Sequence, residues 1–107
     1  MKKVISFTDD AKGDINDAYN YYEEIRSNLG EEFLDEVDET VANITTNAKM
    51  YAKIYGHVRR AVLNRFPYAV LYVIRDVEVT IFAVFNTYKN PKKWEKRANE
   101  QNGEELL

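Results

Sequence analysis

Residues 59–74 read RRAVLNRFPYAVLYVI, and this stretch decides how the chain folds. From Tyr68 onwards it is apolar at nearly every position, which indicates a central strand covered on both faces. Just before it, Pro67 cannot donate a hydrogen bond to a neighbouring strand, so a turn or bulge is predicted there. The stretch therefore predicts two strands joined by a turn, with Arg59 and Arg60 on the first strand and Arg65 at the turn.

Strand-like spacing of apolar residues extends on both sides of this stretch. It predicts three consecutive strands at residues 57–63, 68–75 and 78–87. The links between them are short, so the three strands should form an antiparallel meander. Another short strand is predicted at residues 4–7, and residues 49–56 are expected to be irregular.

Two helices are predicted between the first strand and the meander. Thr8 is a suitable N-cap for a helix that runs to about residue 26, and a second helix should cover about residues 31–48. A connection of about four residues predicts an antiparallel helical hairpin. Most outward positions of the second helix are acidic, which is typical of a solvated face.

A short basic helix is predicted near the end of the chain. Asn90 should cap it, Pro91 suits its first position, and Trp94 is its large apolar side chain. Residues 98–107 have low hydrophobicity and are expected to form a disordered tail. The prediction is one domain, residues 1–97, of the two-layer α+β class. An N-terminal strand and a helical hairpin precede an antiparallel sheet, in the order β-α-α-β-β-β, and the short helix follows.

The composition narrows the possible chemistry. The 107 residues include no cysteine, so disulfides, thiol catalysis and thiolate metal sites are excluded. His57 is the single histidine, which excludes a multi-histidine metal site within one chain. Neither a metal nor a cofactor is expected. No apolar run reaches the roughly 20 residues of a membrane span, and no secretion signal is recognised, so a soluble cytoplasmic protein is expected.

Charge is distributed unevenly along the chain. Residues 1–48 carry 12 acidic and 4 basic side chains, whereas residues 49–97 carry 11 basic and 3 acidic ones. The local field therefore differs greatly from what the net charge of −3 suggests. Either the basic half binds an acidic or polyanionic partner, or the acidic hairpin lies against a basic sheet of the same molecule.

Several motifs stand at recognisable positions in this order of elements. They are an Ala-x-x-Asp-Ile helix start (Ala11, Asp14, Ile15), the pair Tyr21 and Tyr22, Arg59-Arg60, the run Arg65-Phe66-Pro67-Tyr68 and a closing Asn90-Pro91-x-x-Trp94. Together they resemble the RelE/ParE superfamily of type II toxin–antitoxin toxins, which includes plasmid stabilisation proteins. The likeness covers about residues 3–97. The long hairpin and the Phe-Pro-Tyr step are closer to the ParE-like members.

The resemblance implies a small bacterial toxin that inhibits growth and is encoded beside an antitoxin that neutralises it. ParE-like members poison DNA gyrase without a hydrolytic site of their own, which favours a binding protein. RelE-like members instead cleave messenger RNA on the ribosome, so a ribonuclease is the alternative. A toxin-fold protein that has lost activity and only binds its antitoxin is a second alternative.

Metal-free RNA cleavage needs a base, a cation that stabilises the phosphorane and an acid for the leaving oxygen. The candidates for these roles, if the chain is a ribonuclease, are Arg59, Arg60, Arg65, Tyr88 and Lys89. Family members often carry His, Arg and Arg where this chain has Asn86, Tyr88 and Lys89. An asparagine cannot act as a base at neutral pH, and a phenol does not replace a bidentate guanidinium, so these departures disfavour an enzyme.

Alternation along the strand predicts different roles for Arg59 and Arg60. One should face the helices and pair with an acid there, and the other should face the open side of the sheet. Arg65 should be exposed, and Tyr68 and Tyr72 should pack beneath the hairpin.

The partner implied by the resemblance is a small, acidic, partly disordered antitoxin. It is expected to bind the open side of the basic sheet and the closing helix by packing and charge pairing. The residues expected to contact it are Lys92, Lys93, Trp94, Lys96 and Arg97.

Overall fold

A computed structural model describes residues 3–106, with side chains for residues 3–103. The elements in chain order are β1 (Val4–Phe7), α1 (Asp9–Ile25), α2 (Leu29–Asn47), β2 (Lys53–Tyr55), β3 (Val58–Val62), β4 (Tyr68–Arg75), β5 (Glu78–Asn86) and α3 (Lys92–Leu106). A 3₁₀ turn, Ala48–Met50, follows α2. The strands form one sheet in the order β1-β5-β4-β3-β2, and the predicted α+β class is confirmed.

The sheet differs from the prediction in two respects. β1 runs parallel to β5, so the sheet is mixed rather than wholly antiparallel. A strand that is linked to the sheet through helices can return in either direction, and spacing along β1 alone does not specify which. Part of the segment expected to be irregular forms β2, which pairs with β3 across a turn at Gly56. Gly56 has a φ of 59°, a left-handed conformation that suits glycine in so tight a turn.

The helical hairpin covers one face of the sheet, where the larger core lies. Tyr22 and Phe33 from the hairpin meet Phe66 and Tyr68 with ring-centroid distances of 4.9 to 6.0 Å. Tyr72 is fully buried, and its hydroxyl donates to the Ala48 carbonyl at 2.7 Å. The prediction that Tyr68 and Tyr72 pack beneath the hairpin is confirmed.

The opposite face of the sheet carries a second, smaller core against α3. Trp94 and the fully buried Ala98 pack there with residues of β4 and β5. The structure corrects the expected disordered tail, because α3 continues from Lys92 to Leu106. This segment has low hydrophobicity, but it still forms a helix. The buried Ala98 and the hydrogen bonds of Asn99 and Asn102 hold it against the sheet. Asn102 accepts a hydrogen bond from the His57 amide at 2.9 Å. Residue 107 of the predicted tail lies outside the described residues.

The two hairpin helices begin in different ways. Thr8 caps α1 as predicted, because its hydroxyl accepts from the Ala11 amide at 3.1 Å. The start of α2 has no cap of its own, and Glu23 of α1 supplies the acceptor instead. Its carboxylate accepts from the Asn28, Gly30 and Glu31 amides at 3.3, 2.9 and 3.4 Å. The hairpin is therefore joined tightly at its turn, where a Cβ on Gly30 would lie 2.7 Å from the Tyr19 carbonyl oxygen.

Two glycines in the hairpin give a matched test of this close approach. Gly13→Ala should raise the free energy of unfolding by about 0.5–1 kcal/mol, because nothing lies within 4 Å of its Cβ position and alanine favours helix. Gly30→Ala should lower it by about 1–3 kcal/mol, because the two helices must separate. Urea unfolding curves measure both changes. A Gly30→Ala protein as stable as Gly13→Ala would contradict the packing described.

Candidate functional site

A bulge in β5 determines the geometry at one edge of the sheet. Leu71 pairs with Ala83 and Tyr72 pairs with Ile81, so Phe82 is the extra residue. Pairing between β1 and β5 ends at Phe7 and Ile81. Beyond that point, the outer edge of β5 has no strand beside it within the described chain. Its polar backbone groups must therefore find other partners.

Asp14 and Arg97 supply these partners. The Asp14 carboxylate accepts from the Val84 amide at 3.0 Å and from both terminal nitrogens of Arg97 at 2.7 and 3.2 Å. Arg97 also donates to the Phe82 carbonyl at 3.2 Å. The hydrogen bond with Asp14 raises the pKa of Arg97 above its usual value. These contacts join α1, β5 and α3, and we call them the Asp14–Arg97 clamp.

Two concavities lie on either side of the connection from β5 to α3. The α1–α3 cleft, with a volume of about 400 Å³, opens beside the clamp. Its lining includes Asp17, Tyr21, Tyr68, Lys93 and Trp94. Tyr21 is 58% exposed, so the rim of this cleft presents an aromatic side chain to solvent. The cleft combines aromatic walls with charges of both signs.

The second concavity, which we call the sheet cavity, lies on the face away from the hairpin. It has a volume of about 180 Å³ and is lined by Ile54, Arg60, Ala69, Leu71, Phe85, Thr87, Lys89, Pro91 and Trp94. No carboxylate is in this lining. The cavity is therefore a small, apolar and positively charged depression in the sheet.

The three arginines of the opening stretch take separate positions. Arg59 faces the hairpin side, where its guanidinium donates to the Lys49 and Tyr51 carbonyls at 3.0 and 2.6 Å. Its predicted pairing with an acid is wrong, because the 3₁₀ turn after α2 and the residue that follows this turn present carbonyl groups at that position. Arg60 lies on the opposite face, is exposed and lines the sheet cavity. The predicted division between the two arginines is otherwise confirmed.

Arg65 is exposed as predicted, but it is held by α2. Its guanidinium lies 2.6 Å from a Glu32 oxygen, and its amide donates to Glu36 at 2.7 Å. The hydrogen bond between Arg65 and Glu32 lowers the pKa of the carboxyl group and raises the pKa of the guanidinium. Arg65 therefore ties the β3–β4 turn to the hairpin and lies apart from both concavities.

The remaining ribonuclease candidates lie in the turn after β5. Tyr88 is 87% exposed, and its amide donates to the Asn86 side chain at 2.9 Å. Lys89 lines both concavities. Of the five candidates, only Arg60 and Lys89 therefore share a cavity. His57 lies at the β2–β3 turn and is not part of either lining.

The five residues predicted to contact a partner are divided between the surface and the fold. Lys92, Lys93 and Lys96 are exposed on α3. Trp94 is half-buried, with edge-on ring contacts to Tyr55 and Phe85 at 6.0 and 6.2 Å. Arg97 is occupied by the clamp. The three lysines are therefore more accessible to a partner than the other two side chains.

Sequence reasoning missed the structural importance of Asp14. It recognised the residue only as part of a helix-start motif. One signal was available in the sequence. Asp14 shares a helical face with Ala11 and Ala18, which are buried, and an acid on a buried face needs a partner. The partner of Asp14 could not be predicted, because β5 is apolar at nearly every position and its sequence does not indicate the bulge that precedes the Val84 amide.

The described residues show no grouping of three His, Asp or Glu side chains that could hold a metal ion. Within the same part of the chain, no helix has the length and apolar character needed to cross a bilayer.

Comparison with known proteins agrees with this architecture. A solved structure described as "Chromosomal ParDE TA system from P. aeruginosa" contains a chain of similar fold, with a TM-score of 0.71 at 18% sequence identity. The match covers 79% of this chain and 96% of that one. The two chains therefore share a fold.

A family model described as ParE toxin of type II toxin–antitoxin system, parDE, matches residues 5–91. The chain therefore belongs to the ParE toxin family, which confirms the resemblance drawn from its motifs. No curated protein sequence matches it.

The clamp predicts different effects for two aspartates that line the same cleft. Asp14→Ala should lower the free energy of unfolding by about 2 kcal/mol, because it leaves the Val84 amide without an acceptor and removes the bidentate partner of Arg97, which keeps only the Phe82 carbonyl and the more distant Asp10 carboxylate. Asp17→Ala removes an exposed carboxylate of the same helix and should change stability by less than about 0.5 kcal/mol. Thermal and urea unfolding compare the two variants. Equal stability of the two proteins would contradict the role assigned to the clamp.

Proposed function

We propose that this member of the ParE toxin family arrests growth by binding a cellular target such as DNA gyrase in the cytoplasm. A cognate antitoxin, small, acidic and partly disordered, neutralises it. Membership of a type II toxin–antitoxin family supports the general role. The description of the similar structure as a ParDE system supports an antitoxin partner.

The dispersal of the ribonuclease candidates favours binding over catalysis. Arg59 is held by carbonyl groups and Arg65 by α2, so neither is available to a phosphate in the sheet cavity. Arg60 and Lys89 share that cavity, but its lining contains no histidine and no carboxylate that could act as a base. This arrangement is the observation that carries the proposal, because the five candidates do not converge in one cavity as the base, the stabilising cation and the acid that metal-free RNA cleavage needs.

A ribosome-dependent ribonuclease is the second candidate function. It rests on the shared position of Arg60 and Lys89 and on the exposed phenol of Tyr88 one residue before Lys89. An inactive toxin-fold protein that only binds an antitoxin is the third.

Expression of the chain without its antitoxin separates these candidates. The proposal predicts growth arrest, an SOS response, altered plasmid topology and intact transcripts. Purified protein should also inhibit supercoiling by gyrase in vitro, since binding requires no other component.

Two results would contradict this proposal. Transcript cleavage that disappears in Lys89→Ala would establish the ribonuclease. Unchanged growth at a confirmed expression level would leave only the inactive binding protein. Co-expression with the protein encoded by the adjacent gene should restore growth if that protein is the antitoxin.

A further inference from the structure

The sheet cavity holds two cations that the fold leaves without partners. Among residues 3–103, neither the Arg60 guanidinium nor the Lys89 ammonium has a hydrogen-bond or ion-pair partner. Both line the cavity, and no carboxylate of the described chain joins them there. Like charges that share an apolar concavity repel each other, so an anion placed between them would relieve this repulsion.

Arg60 differs in this respect from every other arginine that the structure describes. The other guanidinium groups all donate to a group of the same chain; these arginines are Arg26, Arg59, Arg65, Arg75 and Arg97. The fold uses those five to hold its own elements together. Arg60 has no such role in the fold, which leaves its planar donor pair available for a carboxylate or phosphate from outside.

The size and floor of the cavity favour a single side chain as its occupant. Its volume of about 180 Å³ lies below the range of roughly 300–1,000 Å³ that is typical of small-molecule sites. The fully or nearly fully buried Ala69 and Leu71 form an apolar floor, and Trp94 and Phe85 form part of the wall. A carboxylate on a short aliphatic stem satisfies both the cations and the apolar surface.

Charge complementarity indicates the kind of molecule that carries this side chain. The surrounding segment, residues 49–97, carries 11 basic and 3 acidic residues, so an acidic chain is attracted to this face. The acidic outer face of the hairpin lies on the other side of the sheet and leaves the cavity uncovered. An acidic protein segment fits these features, because a carboxylate on an aliphatic stem contacts the apolar floor as well as the two cations.

We propose that the sheet cavity binds a side-chain carboxylate of the neutralising antitoxin between Arg60 and Lys89. This inference rests on the proposed function, since it concerns the partner that the function requires. It places the anchor of that partner on the sheet, beside the exposed lysines of α3.

The test measures binding of the full-length protein encoded by the adjacent gene to the full chain, by calorimetry at near-physiological salt. Arg60→Gln and Lys89→Gln should each raise the dissociation constant by about 10- to 100-fold, because each removes one charge-assisted contact. Lys12→Gln is the matched control. It removes one exposed cation from α1, outside both concavities, and should leave the constant unchanged within about twofold.

Folding of the variants is checked by thermal unfolding. The side chains of Arg60 and Lys89 make no hydrogen bond or ion pair with the described chain, so their glutamine variants should melt like the wild-type protein. Arg60→Lys provides a further check, because it keeps the charge but loses the planar donor pair. It should bind more tightly than Arg60→Gln and more weakly than the wild type.

Several outcomes would overturn the inference. If the adjacent-gene protein binds the wild type and both glutamine variants equally, the site is wrong while the proposed toxin–antitoxin function stands. If it does not bind the wild type at all, both the inference and the proposed partnership fail.

The remaining outcomes identify another occupant. Binding of a single-stranded RNA oligonucleotide that is lost in both variants, with partner binding unchanged, would make the cavity a nucleic-acid site. Self-association of the chain alone that Arg60→Gln abolishes would make a second copy the occupant.

Discussion

The Asp14–Arg97 clamp is the interaction on which the arrangement of the molecule depends. Without it, the Val84 amide at the bulged end of β5 would have no acceptor, and the Phe82 carbonyl would keep only the long hydrogen bond of 3.5 Å from the Thr8 hydroxyl. One carboxylate and one guanidinium satisfy both groups and also join helices from opposite ends of the chain. Because the ion pair is partly buried and bidentate, it fixes orientation as well as distance.

This clamp determines which surfaces remain open. It holds α3 across the smaller core, so Trp94 becomes part of a wall between two concavities instead of an exposed anchor. It also occupies Arg97, while Arg59 and Arg65 are held elsewhere. Three of the arginines that the sequence marks as functional are therefore structural, whereas Arg60, Lys89 and the exposed lysines of α3 remain available. The separation of an acidic hairpin from a basic open face completes a surface suited to one acidic partner.

The sequence predicted the elements and faces that depend on periodicity. The hairpin, the three meander strands, the Thr8 cap and the buried tyrosines all follow from local spacing. It did not predict the parallel direction of β1 or the extended α3, which depend on contacts between segments far apart in the chain, such as Asn102 with the His57 amide. It also missed β2, a strand of three residues with an irregular register against the neighbouring β3, which is too short to show an alternating pattern. Likewise, alternation predicted that Arg59 and Arg60 face opposite sides of the sheet, but only the fold showed that Arg60 is the one on the open face and which arginines have partners.

If the antitoxin binds as we propose, it covers the sheet face that contains Arg60 and Lys89. Hydrogen–deuterium exchange of the full chain, with and without the protein encoded by the adjacent gene, tests it most directly. Binding at the sheet cavity should slow exchange in residues 58–62 and in the connection from β5 to α3, residues 85–94. Slower exchange confined to the outer faces of α1 and α2, with the sheet face unchanged, would contradict it.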